Sequence, residues 1–248
     1  AGRRTVARNL ERAAELVDVP PAEIFRVYEL LRPGRAQSKD ESVKEADRIK
    51  AAITVLDEVM GAADSSMPRN ILERAEAIAV FPSLVKAGFV VGGQFGRGVI
   101  SARDTTTGQW SSPAFPTVTG GSFGAQLGAR AVDLVLVVQN RRGLENLLNN
   151  QFKIGADASV AAGPVGRDAS ASTDIQLRAQ ILSYSRTRGL FAGVTLNGST
   201  IRQDRDANER FYGVAYRTKS IVLDKIGGSP DPSGEWKAAL AKHAGGLP

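Results

Sequence analysis

The residues best placed to do chemistry in this chain are its cations. Between positions 178 and 219 stand Arg178, Arg186, Arg188, Arg202, Arg205, Arg210, Arg217 and Lys219, against Asp204, Asp206 and Glu209, a surplus of five positive charges. That surplus is most of the formal net charge of +6. Lys86, Arg97 and Arg103 form a second set, in a stretch free of acids from Ala77 to Arg103. Cations at this density attract phospholipid head groups, nucleic acid or acidic protein. A solvated face laced with salt bridges would use the same residues, so spacing alone leaves both readings open. Few aromatics lie among the arginines, which argues against stacking on single-stranded nucleic acid.

Other chemistries are poorly supplied. The chain has no Cys and one His, His243, near the C-terminal end, so thiolate sites and disulfides are excluded and a Ser-His-Asp triad would depend on that one ring. The run Gly92-Gly93-Gln94-Phe95-Gly96-Arg97-Gly98 lacks the spacing of a dinucleotide fingerprint, and no Gly-Lys pair supplies a phosphate-loop lysine. It reads instead as glycine in tightly curved strands. Asp104, Asp204, Asp206 and Glu209 fall at turns, without the arrangement of an acid/base pair or a calcium loop. The expectation is a binding protein rather than an enzyme, with no cofactor and no metal.

The elements that must hold these cations follow from periodicity. Residues 1–36 read as a helical hairpin, with Val6, Leu10, Ala13 and Val17 on one helix, Ile24, Tyr28 and Leu31 on the next, and Pro33-Gly34 as the stop. A longer helix is predicted from Asp40 to Met60, ending at Gly61, with Val43, Ala46, Ile49, Ile53, Leu56 and Met60 as its apolar face. On it Glu41, Glu45, Asp47, Asp57 and Glu58 outnumber Lys44, Arg48 and Lys50, so core packing is the default for that face and lying on a membrane the rival reading. A shorter helix follows Pro68.

From Ile78 onward the pattern is strands: a Gly-rich pair over 86–103, then 117–127 and 132–139, a short helix over 143–150, and strict alternation over 152–162 and 175–181. Asn197-Gly198 predicts a two-residue hairpin. Lys86–Gly92 and Thr187–Gly193 share glycines at an offset of 101, as a duplicated hairpin would. The fold expected is α+β: N-terminal helices packed on a strongly curved, Gly-rich antiparallel sheet, barrel- or sandwich-like. Three parts are predicted: a helical hairpin over 1–38, a main domain over 39–228 and a tail or short helix over 229–248. No apolar run reaches the roughly 18–20 residues that a membrane-spanning helix needs.

Several motifs resemble the SYLF domain family: Lys86-Ala87-Gly88-Phe89, Val99 to Arg103, Gly108 to Pro113, Ala162 to Arg167, and above all Ser183-Tyr184-Ser185-Arg186-Thr187-Arg188-Gly189-Leu190-Phe191-Ala192-Gly193, with Phe211-Tyr212-Gly213 last. The resemblance runs over roughly residues 42–225, and the flavour is that of bacterial members. It implies peripheral binding of anionic phospholipid, of phosphoinositide or simpler type, through an initial helix and a basic surface. The residues it points to are Lys86, Arg97, Arg103, Arg186 and Arg188, with Lys44, Arg48 and Lys50 on the initial helix. A second, shorter resemblance, over 8–35, is to the small subunit of cobalamin-dependent diol and glycerol dehydratases. It would make 1–36 a docking segment for a protein partner, which is the alternative function. The two resemblances point to different compartments, exported and cytoplasmic, and the sequence leaves that open.

Overall fold

The structure is a computed structural model that describes residues 41–62, 67–88, 91–123, 128–154, 156–165, 178–187, 190–193 and 198–245. The N-terminal hairpin predicted over 1–36, Arg188 and the alternating run 175–177 lie outside the described residues.

Helix α1 spans Glu41–Gly61 and α2 spans Arg69–Glu73. The buried stripe of α1 is Glu45, Arg48, Ile49, Ala52, Val55, Leu56 and Val59, with Ile53 and Met60 half-buried at its margin. This differs from the predicted face in its first half, where the helical repeat passes through two charged residues.

The strands are β1 (Ala77–Gly88), β2 (Val91–Arg97), β3 (Val99–Ala102), β4 (Pro116–Phe123), β5 (Gly128–Val138), β6 (Gln151–Lys153), β7 (Val160–Ala162), β8 (Ile181–Thr187), β9 (Leu190–Gly193) and β10 (Ser199–Gln203). They form one curled sheet in the order β6-β10-β4-β2-β1-β5-β8-β7, with β3 also on β1 and β9 also on β8. All these pairings are antiparallel except β7 with β8, so the sheet is mixed rather than purely antiparallel.

The curl has a local cause. The β1–β5 register slips between Phe81 and Leu84, where Ser83 takes φ 52 and its N–H donates to Asp133 Oδ1 at 2.9 Å. The bulge turns β1, so that Ala77 to Val80 pair with β3 and Val85 to Gly88 pair with β2. At the same bend a Cβ on Gly98 would stand 2.5 Å from the Phe81 ring, so only glycine fits there.

The curl leaves two apolar layers. Inside it lie Phe81, Leu84, Val118, Leu134, Leu136, Phe152 and Ile201, closed by α3 (Arg141–Leu147) and α5 (Thr218–Val222). Outside it, Ile78, Val80, Val135, Val137, Leu182 and Tyr184 pack under α1, α4 (Arg205–Tyr212) and α6 (Ser233–Ala244). Helix α6 falls in the predicted tail, yet it supplies Trp236, Leu240 and Ala244 to this layer, and Trp236 Nε1 donates to Ser101 Oγ at 2.8 Å.

Two strand expectations change. The run 152–162 is two short strands around a turn, where the Asp157 carboxylate accepts the Lys153 N–H at 2.5 Å. Alternation continues through a turn when its residues happen to alternate in polarity, which conceals the break. The described parts of β9 and β10 do not pair with each other: β9 lies on β8 and β10 between β4 and β6. The offset of 101 is not a structural repeat either. The β1–β2 hairpin is centred on position 90 and the β8–β9 hairpin on 188–189, which differ by 98 to 99 residues rather than 101.

Candidate functional site: the open outer face of the sheet

Alternation from the buried Val118, Ile201 and Phe152 places one set of residues on the outer side of β2, β4, β10 and β6. Pairing aligns Arg97 with Thr117, Thr117 with Arg202, and Arg202 with Gln151. The next rung aligns Phe95, Thr119, Thr200 and Lys153. Gly93 and Gly121 stand opposite each other one rung further. Arg97, Lys153, Arg202, Gln151, Gly93 and Gly121 are exposed, and Phe95 and the three threonines are half-buried. The Arg97 guanidinium lies 5.8 Å from the centre of the Phe95 ring, a cation–π contact that fixes its position. No acid occurs in these four strands.

Of the eight cations expected at a binding surface Arg188 lies outside the described residues, and the other seven are not brought together. Arg97 is on this outer face. Lys86 aligns with Gln94, whose amide meets Ser199 Oγ, on the inner side of the curl beside Leu84. Burial lowers the Lys86 pKa from the usual lysine range. Lys86 and Arg97 are therefore on opposite faces of one sheet.

Arg48, expected at the surface, is buried instead. It lies 3.4 Å from Glu45 Oε1 and 3.6 Å from Asp204 Oδ2, with its guanidinium 5.2 Å from the Phe115 ring centre. Arg210 donates to the same Glu45 oxygen at 2.8 Å. Desolvation lowers the Arg48 pKa, opposed by the carboxylates of Asp204 and Glu45.

Arg103 is half-buried and donates to the Glu73 carbonyl and, at 3.2 Å, to the Ala244 carbonyl, which ties the C-terminal ends of α2 and α6. Trp110, beneath it, donates to the Gly245 carbonyl at 2.9 Å. Arg186 bridges Asp133 on β5, at 3.2 Å, and Glu58 on α1. Lys44 and Lys50 are exposed on α1.

Residue type marks Arg202 as one of the cations without assigning it to the site, and the cation-rich stretches do not include Lys153. Both carry a signal in hindsight. Each flanks an inward apolar residue, Ile201 or Phe152, at the one-residue offset that points outward in a strand.

Comparison with known proteins assigns the chain to a family. The family model described as "Ysc84: Las17-binding protein actin regulator" matches residues 119–242, from β4 to α6. The LAS seventeen-binding protein 3 of Saccharomyces cerevisiae is 34% identical over 193 residues, 77% of this chain and 41% of that protein. The chain belongs to the Ysc84 family. This is the SYLF-domain family that its motifs resemble. Protein YSC84 of Saccharomyces cerevisiae is 32% identical over 193 residues, and the SH3 domain-containing YSC84-like protein 1 of Xenopus laevis is 32% identical over 176, which is 71% of this chain and 51% of that protein. The chain thus spans about half the length of the curated Ysc84-family relatives it matches. The model described as "Dehydratase small subunit" matches residues 1–73, a longer span than the sequence motifs alone suggest, and its C-terminal part covers α1 and α2. Among the described residues no helix is long and apolar enough to cross a membrane.

Proposed function

We propose that this chain is a non-enzymatic adaptor module that docks actin filaments, in keeping with the family's description as an actin regulator. The observation that supports this is the alignment with the LAS seventeen-binding protein 3, which extends over 77% of the chain and is 34% identical. That relative is named for binding another protein, and the family description names an actin regulator. Residues 1–36 are the second proposed docking element, consistent with the match to the model described as a dehydratase small subunit over 1–73. Co-sedimentation of the full chain with actin filaments tests the reading. Saturable pelleting with filaments is expected, and no pelleting above the filament-free control at any filament concentration would overturn it.

A second reading, peripheral binding of anionic phospholipid, is favoured by Lys44 and Lys50, both exposed on α1. Each cation near an anionic membrane contributes about 1 kcal/mol. Two such residues give a weak, salt-sensitive attachment. Co-sedimentation with anionic but not neutral vesicles, lost at high salt, is the result this reading requires.

A further inference from the structure

We infer that the open outer face of β2, β4, β10 and β6 is a docking surface for an acidic protein, an inference that rests on the adaptor reading and names its site. Neighbouring strands lie about 4.8 Å apart, so Arg97 and Arg202 stand about 10 Å from each other, with Lys153 one strand beyond Arg202. Among the described residues none of the three makes an ion pair. Under the helices the cations are matched: Arg186 with Asp133 and Glu58, Arg48 with Glu45 and Asp204. On the open face no described residue supplies the complementary carboxylates, and we assign them to the partner.

Gly93 is an independent sign. It has no positive φ, and a Cβ built on it would meet nothing nearer than the Gly120 carbonyl at 3.9 Å. Among the described residues neither backbone conformation nor packing requires glycine there, and glycine weakens a strand. Its absent side chain leaves bare backbone on the outer surface, opposite an equally exposed Gly121, and that permits close approach by another molecule. The rest of the face is already ordered. Threonine is stiff at χ1 and Arg97 is held over Phe95, so docking immobilises little that was free.

The same features favour a folded protein over a bilayer. Three cations on a rigid sheet supply little membrane attraction without a second anchor. The exposed large apolar residues among those described are Val214 and Ile226, and neither is on this face. Fixed cations at strand spacing suit fixed carboxylates.

The test uses the full chain with two probes: actin filaments, and vesicles of phosphatidylcholine with phosphatidylserine. The variants are Arg97→Glu/Lys153→Glu/Arg202→Glu and, separately, Gly93→Val. The expected result is filament binding by the wild type, at least tenfold weaker in the triple variant and weaker in Gly93→Val, with the thermal transition kept in both. If the triple variant loses its transition, Gly93→Val decides alone. Wild-type binding with undiminished binding by the folded variants would overturn the surface and leave the adaptor reading standing. Failure of the wild type to bind filaments would overturn the adaptor reading and this surface with it. Binding to vesicles alone, lost on charge reversal, would assign the face to a membrane and overturn the protein occupant.

Discussion

On β1, β5 and β8 the outward positions are Val80, Val135, Val137, Leu182 and Tyr184, and helices lie over them. On β2, β4 and β10 the outward positions are Phe95, Arg97, Thr117, Thr119, Thr200 and Arg202, and these stay exposed or half-buried. The sheet is continuous and its alternation is the same in both halves. What differs is the partner each half expects: apolar side chains where a helix of the same chain arrives, cations and β-branched polar residues where no described helix does. Charge follows the same division. Cations in the covered half hold the fold, at a helix end in the case of Arg103 and between elements in the cases of Arg48 and Arg186, whereas those of the open half make no ion pair with a described residue.

Changes in the covered half should therefore damage stability, and the largest effect is expected at Arg48. Removing it by Arg48→Ala leaves Glu45, only 1% exposed, with one cation fewer in a buried site. Loss of one partner from a buried pair costs about 3–5 kcal/mol, which chemical denaturation would register as a lower midpoint. If Arg48→Ala unfolds at the wild-type midpoint, the structural role given to this cluster is wrong.

The two halves also use glycine differently. A Cβ on Gly163 would stand 2.0 Å from the ring of the fully buried Tyr184, so the methyl cannot enter unless that ring moves. Gly163→Ala should cost about 1–3 kcal/mol of overpacking. Gly93→Val, in the open half, should leave thermal stability unchanged within about 0.5 kcal/mol. Equal effects at the two glycines would erase the distinction between the halves.

The smallest effect concerns the clasp of α1 and α6. Asp57 accepts from Lys242 at 2.8 Å and meets His243 Nε2 at 2.5 Å. The Lys242 hydrogen bond first, and the His243 contact second, hold the Asp57 carboxyl below the usual aspartate range. A depressed carboxyl stabilises the fold above its unfolded-state pKa of about 3.8, and that contribution is lost as pH falls through the lower folded value. Below about pH 4 the wild type should lose stability more steeply than Asp57→Asn, by a small margin because the Asp57 side chain is 43% exposed. Parallel acid titrations of the two proteins would remove the clasp from the account.

Much of this was legible in the sequence. The α1 boundaries, the helix after Pro68 and the change to strands at β1 follow from periodicity and from Pro and Gly. The first half of α1 was not, because helical reading assigns charged residues to the solvent side, and Glu45 and Arg48 neutralise each other in the interior. The site was half legible. Residue type marked the cations as the relevant groups, but only register tells which face of a strand each one takes. Register separates Lys86 from Arg97 and aligns Arg97 with Arg202 across β4, and it is set by the bulge at Phe81 to Leu84 and by pairings between distant segments.

The absence of cysteine permits a direct test of the division between the halves. Thr119→Cys on the open face and Lys50→Cys on exposed α1 each introduce one thiol, and the rate of maleimide labelling is measured with and without actin filaments. The account predicts that filaments slow labelling at position 119 and leave position 50 unchanged. Slowing at position 50 with none at position 119 would contradict it, and would move the docking surface from the sheet to the helix.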